Sequence, residues 1–382
     1  MTKARELSDY TGLQADITAG DTAARAGRKN LLLNGSMQVA QRGTSVTSIT
    51  GNGFHTCDRW YLQVGNLGTH TVTQETLTSG NAYNDGFTKA FRVDCTTADA
   101  SPAASDHIFF QQKIEAQNLQ HLAYGTSGAK ALTLSFWVKS NKTGTYEIMH
   151  YVADSSRQVN STYTINSANT WEKKVLSIPA DTGGSGINND NEEGFRSLFY
   201  LAVGSQRQSG STPTSWQAYG VGNEASSQTV NIGDNTANDW AITGYQLEVG
   251  SVATDFEHRT YAESLLACQR YYEIIAKPTA ADDSPYFGIG HGYKSDQINW
   301  FYDFKAEKRA PITLIVNTVT NGYYGKNHST EKNYNTLGIT MGHQSLHSIQ
   351  GYMTNISGVT EQSAYTMQCN GAGCLIAASA EL

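Results

Sequence analysis

The chain has 382 residues, and 27 Lys+Arg against 34 Asp+Glu give it a net charge of −7. That length predicts two folded units, and the acidic balance excludes a nucleic-acid binder, which needs a basic footprint to displace counterions. Charged residues at 16% and apolar residues at 39% are low for a globular domain, and 36 Gly fill much of the difference, so the chain reads as all-β with many turns.

Residues 1–28 are Ala-rich and charged, lack strand alternation and carry too little apolar surface to fold alone. They fit either a solvated tail or an anchor that orders on a larger assembly. Met1-Thr2-Lys3-Ala4-Arg5-Glu6 is charged where a signal peptide needs an apolar run, so no export signal is expected. No stretch approaches the ~18 consecutive apolar residues of a membrane-spanning helix, and no membrane insertion is expected.

Residues 29–258 read as a jelly-roll-like β-sandwich. In 131–139, Leu132, Leu134, Phe136 and Val138 alternate with Thr133, Ser135, Trp137 and Lys139, which puts one apolar and one mixed face on a strand. Asn141-Lys142-Thr143-Gly144 supplies the turn into a second strand at 145–152. Further strands are expected at 69–75, 87–93, 171–178, 197–203, 215–219, 228–232 and 240–249, with Gly/Asn/Ser-rich loops between them, notably 181–194.

Residues 259–278 form a helical connector. Thr260-Tyr261-Ala262-Glu263 is a capping box, and no Gly or Pro follows until Pro278. Tyr261, Leu265, Cys268, Tyr272 and Ile275 are spaced 4-3-4-3, a two-heptad seam that fits either packing on the chain's own sandwich or a trimer axis. Residues 279–382 return to strand patterning at 287–291, 298–304, 312–319, 338–341, 365–369 and 375–378, a smaller β domain with a long polar loop at 321–335.

Enzyme signatures are scarce: there is no nucleophile elbow, P-loop, H-E-x-x-H or dinucleotide fingerprint, and the chain is read as a non-enzyme. Five cysteines at irregular spacings read as reduced and buried, and Cys369 with Cys374 is only half a zinc site. His343 and His347 have helical ligand spacing but sit in a strand-or-loop context. Asn189-Asp190-Asn191-Glu192-Glu193-Gly194 opens like an EF-hand, yet Tyr200 stands where the bidentate Glu belongs. No metal or cofactor is therefore expected, although the acidic loop leaves room for a structural calcium in another geometry. Sugar binding suits the composition better, because 21 Tyr outnumber 12 Phe and many lie beside Asn or Gly. Such loops combine stacking faces with hydrogen-bonding amides.

Three blocks resemble the fibre and receptor-binding proteins of tailed bacteriophages. The first is Arg28-Lys29-Asn30-Leu31-Leu32-Leu33-Asn34-Gly35-Ser36-Met37-Gln38-Val39-Ala40-Gln41-Arg42-Gly43 with Cys57-Asp58-Arg59-Trp60-Tyr61. The second is Trp240-Ala241-Ile242-Thr243-Gly244-Tyr245-Gln246-Leu247-Glu248-Val249-Gly250, followed by Thr254-Asp255-Phe256-Glu257-His258-Arg259-Thr260-Tyr261 and Cys268-Gln269-Arg270-Tyr271-Tyr272. The third is Lys308-Arg309-Ala310-Pro311-Ile312 with the final Ala380-Glu381-Leu382. The resemblance implies a homotrimeric virion component with a carbohydrate-binding-module-like jelly roll. It also implies attachment through residues 1–28 to tail or portal-proximal proteins and recognition of host-surface polysaccharide for adsorption. The alternatives are a head fibre or capsid decoration protein and, third, a polysaccharide depolymerase. Asp58, Arg59 and Trp60 are expected to fix the sandwich, and Gln246, Glu248 and Glu257 to serve packing or subunit contacts. A fibre anchored by its first residues presents its other end outward, so the glycan contact is placed at Tyr323, Tyr324, Asn327, His328, Tyr334 and Asn335 of the 321–335 loop.

Overall fold

The computed structural model describes residues 28–280, 283–317, 319, 322–327, 331–334, 339–354, 356–369 and 373–382. The chain divides after Arg259 into two compact units. The segment 1–28, expected as an anchor, lies outside the described residues except for Arg28.

The first unit contains strands β1 (Ser45–Ile49), β2 (Gly53–Phe54), β3 (Tyr61–Gly65), β4 (Thr69–Thr76), β5 (Lys89–Thr97), β6 (His107–Glu115) and β7 (Leu132–Ser140). It continues with β8 (Gly144–Val152), β9 (Arg157–Ile165), β10 (Glu172–Ile178), β11 (Glu193–Val203), β12 (Gln217–Ala218) and β13 (Asp239–Val249). A short helix, α1 (Asn81–Asn84), joins β4 to β5. The strands form a six-stranded sheet ordered β1-β4-β5-β13-β7-β10 and a seven-stranded sheet ordered β12-β9-β8-β11-β6-β3-β2. Sequence neighbours such as β6 and β7 fall in different sheets, so the chain passes between layers and closes a sandwich. The all-β, jelly-roll-like expectation therefore holds.

Alternation explains the core. Leu132, Leu134, Phe136 and Val138 of β7 are buried in one apolar cluster with Phe110 of β6, Ile148 of β8 and Phe199 of β11 from the opposite sheet. Phe136 meets Phe199 edge to face across the sandwich, with ring centroids 5.1 Å apart. Trp60 stacks on Phe110 at 4.7 Å and on Tyr245 at 4.9 Å. No strand forms at the expected 228–232; the segment is irregular and ends in a 3₁₀ turn over Ile232–Asp234, where the Asn231 side chain accepts the Gly233 N–H and favours a turn.

The motif residues of the first unit are structural. Asn34, at φ 55°, donates its amide to the carbonyls of Val39 at 2.9 Å and Asp58 at 3.0 Å. The Trp60 indole N–H donates to Asn34 O at 3.0 Å. Gly35 has no alternative, since a Cβ there would lie 2.1 Å from the Tyr245 carbonyl oxygen. Asp58 is fully buried and accepts the Gln41 N–H at 2.9 Å, while Arg59 donates to Lys113 O at 2.9 Å. Glu257 accepts the Lys29 and Asn30 N–H groups at 2.7 and 2.8 Å, pinning the start of the sandwich to its end.

The second unit opens with α2 (Tyr261–Gln269), followed by β14 (Tyr272–Ala276), β15 (Tyr286–Lys294), β16 (Gln297–Asp303), β17 (Thr313–Val316) and β18 (Tyr323–Lys326). It ends with β19 (Glu331–Tyr334), β20 (Ile339–Gln344), β21 (Ser348–Thr354), β22 (Ala364–Cys369) and β23 (Ile376–Ser379). These strands make a three-stranded sheet, β14-β23-β17, and a seven-stranded sheet, β19-β18-β22-β15-β16-β21-β20. Residues 260–278 thus belong to this unit and are not a separate connector.

The helical seam is overturned. The capping box forms, with Thr260 Oγ1 accepting the Glu263 N–H at 3.3 Å and the Glu263 carboxylate accepting the Thr260 N–H at 3.0 Å. The helix nevertheless stops at Gln269, and Tyr272 and Ile275 lie on β14, where Tyr272 pairs with Ser379. The aromatic and β-branched run Tyr271-Tyr272-Glu273-Ile274-Ile275 gains more as a buried strand than as a third helical turn. Tyr261 is 54% exposed and Cys268 fully buried, while Leu265 is half-buried, so the five residues share no stripe.

Candidate functional site

The segment expected as a long polar loop at 321–335 contains paired strands, β18 and β19, in which Tyr323 opposes Tyr334 and Tyr324 opposes Asn333. Tyr323 is fully buried, with its hydroxyl at 2.9 Å from Asn317 O and 3.0 Å from Leu375 O. Its ring cannot stack on a ligand, and the assignment of Tyr323 to a binding loop is corrected to the core. Tyr324 packs half-buried against the same core, and Asn327 donates to the Tyr365 hydroxyl at 3.4 Å. His328 and Asn335 lie outside the described residues, and Tyr334 is placed by its strand register only.

A more coherent surface occupies the outer face of the sandwich's seven-stranded sheet. Antiparallel register aligns three rows across it. The central row runs Tyr61, Gln111, Leu198, Met149 and Asn160 across β3, β6, β11, β8 and β9. One flanking row runs Lys113, Arg196, Tyr151 and Gln158, and the other Gln63, Phe109 and Tyr200. These residues alternate with the core residues Leu62, Phe110, Ile114, Phe199 and Ile148 on the same strands. Phe109, Met149, Leu198 and Tyr200 thus form a second apolar cluster on the face turned away from the core.

That cluster is buried, and a segment of the chain roofs it. The segment carrying Arg207, Tyr219 and Glu224 crosses the β8–β9 side, where Asn160 donates to the carbonyls of Asn223 at 2.8 Å and Glu224 at 3.0 Å. The Tyr200 hydroxyl donates to Glu224 Oε2 at 2.8 Å, and burial beside that carboxylate raises the Tyr200 pKa well above its ordinary value. On the opposite side Tyr61 and Gln63 are half-buried, as are Lys113, Arg196 and Tyr151. Glu193 bridges Lys113 at 2.9 Å and Arg196 at 3.0 Å, and the Arg196 guanidinium lies over the Tyr151 ring at 4.8 Å. Tyr151 meets Tyr219 edge-on at 5.6 Å. Between Tyr61 and Leu198, the Gln111 side-chain oxygen is buried without a hydrogen-bond partner. A buried polar atom left unpaired is costly unless a ligand or water completes it. The face thus combines aromatic rings, amides and a cation–carboxylate cluster, the groups that hold a polyhydroxylated ligand.

The buried groups His150 and Glu147 of this unit are held by partners. His150 lies between the sheets, with Nδ1 at 2.8 Å from Ser197 Oγ and Nε2 at 3.1 Å from Ser161 Oγ, and burial pushes its pKa down to about 3. That pair has no solvent access and no carboxylate to orient it. Glu147, held above its usual range by burial, accepts from Asn160 Nδ2 at 2.7 Å and the Ser227 N–H at 2.6 Å beneath the roof. In the acidic run of the 181–194 loop, Asp190 accepts the Glu192 N–H at 3.0 Å within its own turn. Among the described residues no three His, Cys, Asp or Glu side chains converge to hold a metal.

No family model matches the chain, and no curated protein matches it. Solved structures to which the chain is similar include the enzymatically active domain of bacteriophage CBA120 tailspike protein 4. That likeness has 14% identity and a TM-score of 0.28, covering 58% of this chain and 21% of the tailspike chain. A putative sugar binding protein from Bacteroides thetaiotaomicron has 12% identity and a TM-score of 0.32, covering 58% of this chain and all of its own. The family 11 carbohydrate-binding module from Clostridium thermocellum has 10% identity and a TM-score of 0.26, covering 55% of this chain and 98% of the module.

Proposed function

We propose that this protein is a virion fibre component of a tailed bacteriophage that binds host-surface polysaccharide on the outer face of its seven-stranded sandwich sheet. The observation that carries the binding reading is the register-matched set Tyr61, Gln111, Lys113, Arg196 and Tyr151, with the buried Gln111 oxygen unpaired at its centre. Beside the covered apolar cluster, Tyr61 and Tyr151 keep half-buried rings on which a sugar chain can stack. Lys113 and Arg196 against the single carboxylate of Glu193 leave one net positive charge, which accommodates acidic sugars.

The reading is of binding without hydrolysis. Glu193 is held by Lys113 and Arg196, and Glu224 by Arg207, Tyr200 and Tyr219, so neither carboxylate is free to act as acid or nucleophile. The virion role and the homotrimer rest on the resemblance of the three sequence blocks, since α2 supplies no seam. Antibody labelling of the intact particle at residue 1 tests the fibre role. Label at the tail supports it, label at the head makes the chain a head fibre, and no label on particles removes both.

A further inference from the structure

Sheet β19-β18-β22-β15-β16-β21-β20 of the second unit buries one face and leaves large apolar side chains exposed on the other. Phe287, Trp300, Met353 and Met367 are buried on one side. On the other, Ile289 is 70% and Phe301 49% exposed, and register continues their row to Gln350 and His343. At the β16–β21–β20 end this row opens into a cleft of about 330 Å³ lined by Phe301, Asp303, His343, Ser345, Ser348 and Gln350.

We propose that this cleft is a second saccharide site, specific for a neutral sugar residue and independent of the sandwich face. Four observations support it. First, its volume is at the small end of the roughly 300–1,000 Å³ of ligand clefts, room for about one or two sugar rings. Second, Phe301 offers an exposed ring, steadied by His291 stacked at 6.0 Å and 12°, so a sugar's C–H face meets a pre-positioned surface. Third, the Asp303 carboxylate and Gln350 amide make no hydrogen bond within the described residues and are available to bond vicinal hydroxyls. Fourth, among the described residues no Lys or Arg lines the cleft, while Asp303 gives it a negative charge, so sialic acids, uronic acids and phosphosugars are repelled. Gln344 is already committed, accepting the Ile312 N–H at 2.6 Å, and Ser345 is turned toward Ser348, so they frame the cleft.

The full chain carrying Tyr61→Ala and Gln111→Ala, which silences the sandwich face, is the starting protein for the test. Saturation-transfer NMR is run against methyl glycosides of glucose, galactose, mannose, rhamnose, N-acetylglucosamine and N-acetylgalactosamine, with N-acetylneuraminic acid as the anionic probe. At least one neutral glycoside gives signal, and adding Phe301→Leu or Asp303→Asn weakens its binding tenfold or more with an unchanged melting temperature. Phe301→Leu keeps the apolar bulk and removes only the ring. Silence from every neutral glycoside, signal that survives both substitutions, or preferential binding of N-acetylneuraminic acid overturns the proposal.

Discussion

The Lys308 ammonium lies 2.5 Å from the Glu273 carboxylate, and both side chains are fully removed from solvent. Glu273 also accepts the Tyr302 hydroxyl at 2.7 Å and the Lys305 N–H at 3.2 Å, while Lys308 donates to the Gln269 carbonyl at the end of α2. Burial draws the Lys308 pKa down and the Glu273 carboxylate opposes that shift. The Lys308-Arg309-Ala310-Pro311 block is therefore a clamp that holds β14 and the end of α2 together. Arg309 completes it by donating to Ala380 O at 3.1 Å beside β23.

Lys308→Met leaves the Glu273 charge buried without its partner and is expected to cost about 3–5 kcal/mol. The double variant Lys308→Met/Glu273→Leu removes both charges and loses much less. Urea unfolding of the three proteins checks this, and equal losses in the single and double variants contradict the clamp.

Acid weakens the sandwich through His150. Its folded pKa of about 3 lies below the ordinary value of 6.5, so on lowering the pH the unfolded chain takes up the proton first. Stability is full above about pH 6.5 and declines toward pH 3, by up to about 1.4 kcal/mol per pH unit from this residue. His70 and His107, both lowered by burial, act with the same sign. Denaturant midpoints at pH 7 and pH 5 are expected to show the loss, and His150→Gln to shrink the difference. A midpoint independent of pH over that interval rejects this assignment.

Tyr323→Ala is expected to destabilise the second unit by about 3–5 kcal/mol, the cost of deleting a buried aromatic ring. Its effect is read as a lowered thermal transition. A variant that melts normally but fails to bind polysaccharide would return Tyr323 to the surface.

The sequence carries the sandwich clearly where one face is apolar, as in Leu132, Leu134, Phe136 and Val138 of β7, because period-two burial is written directly into such a strand. It conceals β6, whose run His107-Ile108-Phe109-Phe110-Gln111-Gln112 places an aromatic and an amide on each face and so shows no alternation. That doubled pattern was the available signal for the candidate site, since a strand with large side chains on both faces borders both a core and a covered surface. The end of α2 was hidden for a different reason. The 4-3-4-3 spacing of Tyr261, Leu265, Cys268, Tyr272 and Ile275 is a local pattern, and pairing of β14 with β23, about a hundred residues away, overrides it. Tyr323 misled because Asn and Gly neighbours signal turns, whereas its ring is drawn inward by register with Cys369 of β22.

The central claim is that polysaccharide lies across Tyr61 and Gln111, and the most direct measurement is the dissociation constant of the full chain for purified host-surface polysaccharide. Wild type is compared with Tyr61→Ala and Gln111→Ala, each checked for an intact thermal transition. Each substitution is expected to weaken binding tenfold or more, about 1.4 kcal/mol, through the lost ring in one and the lost amide in the other. Wild-type affinity in both variants would contradict the account and move the contact off this sheet.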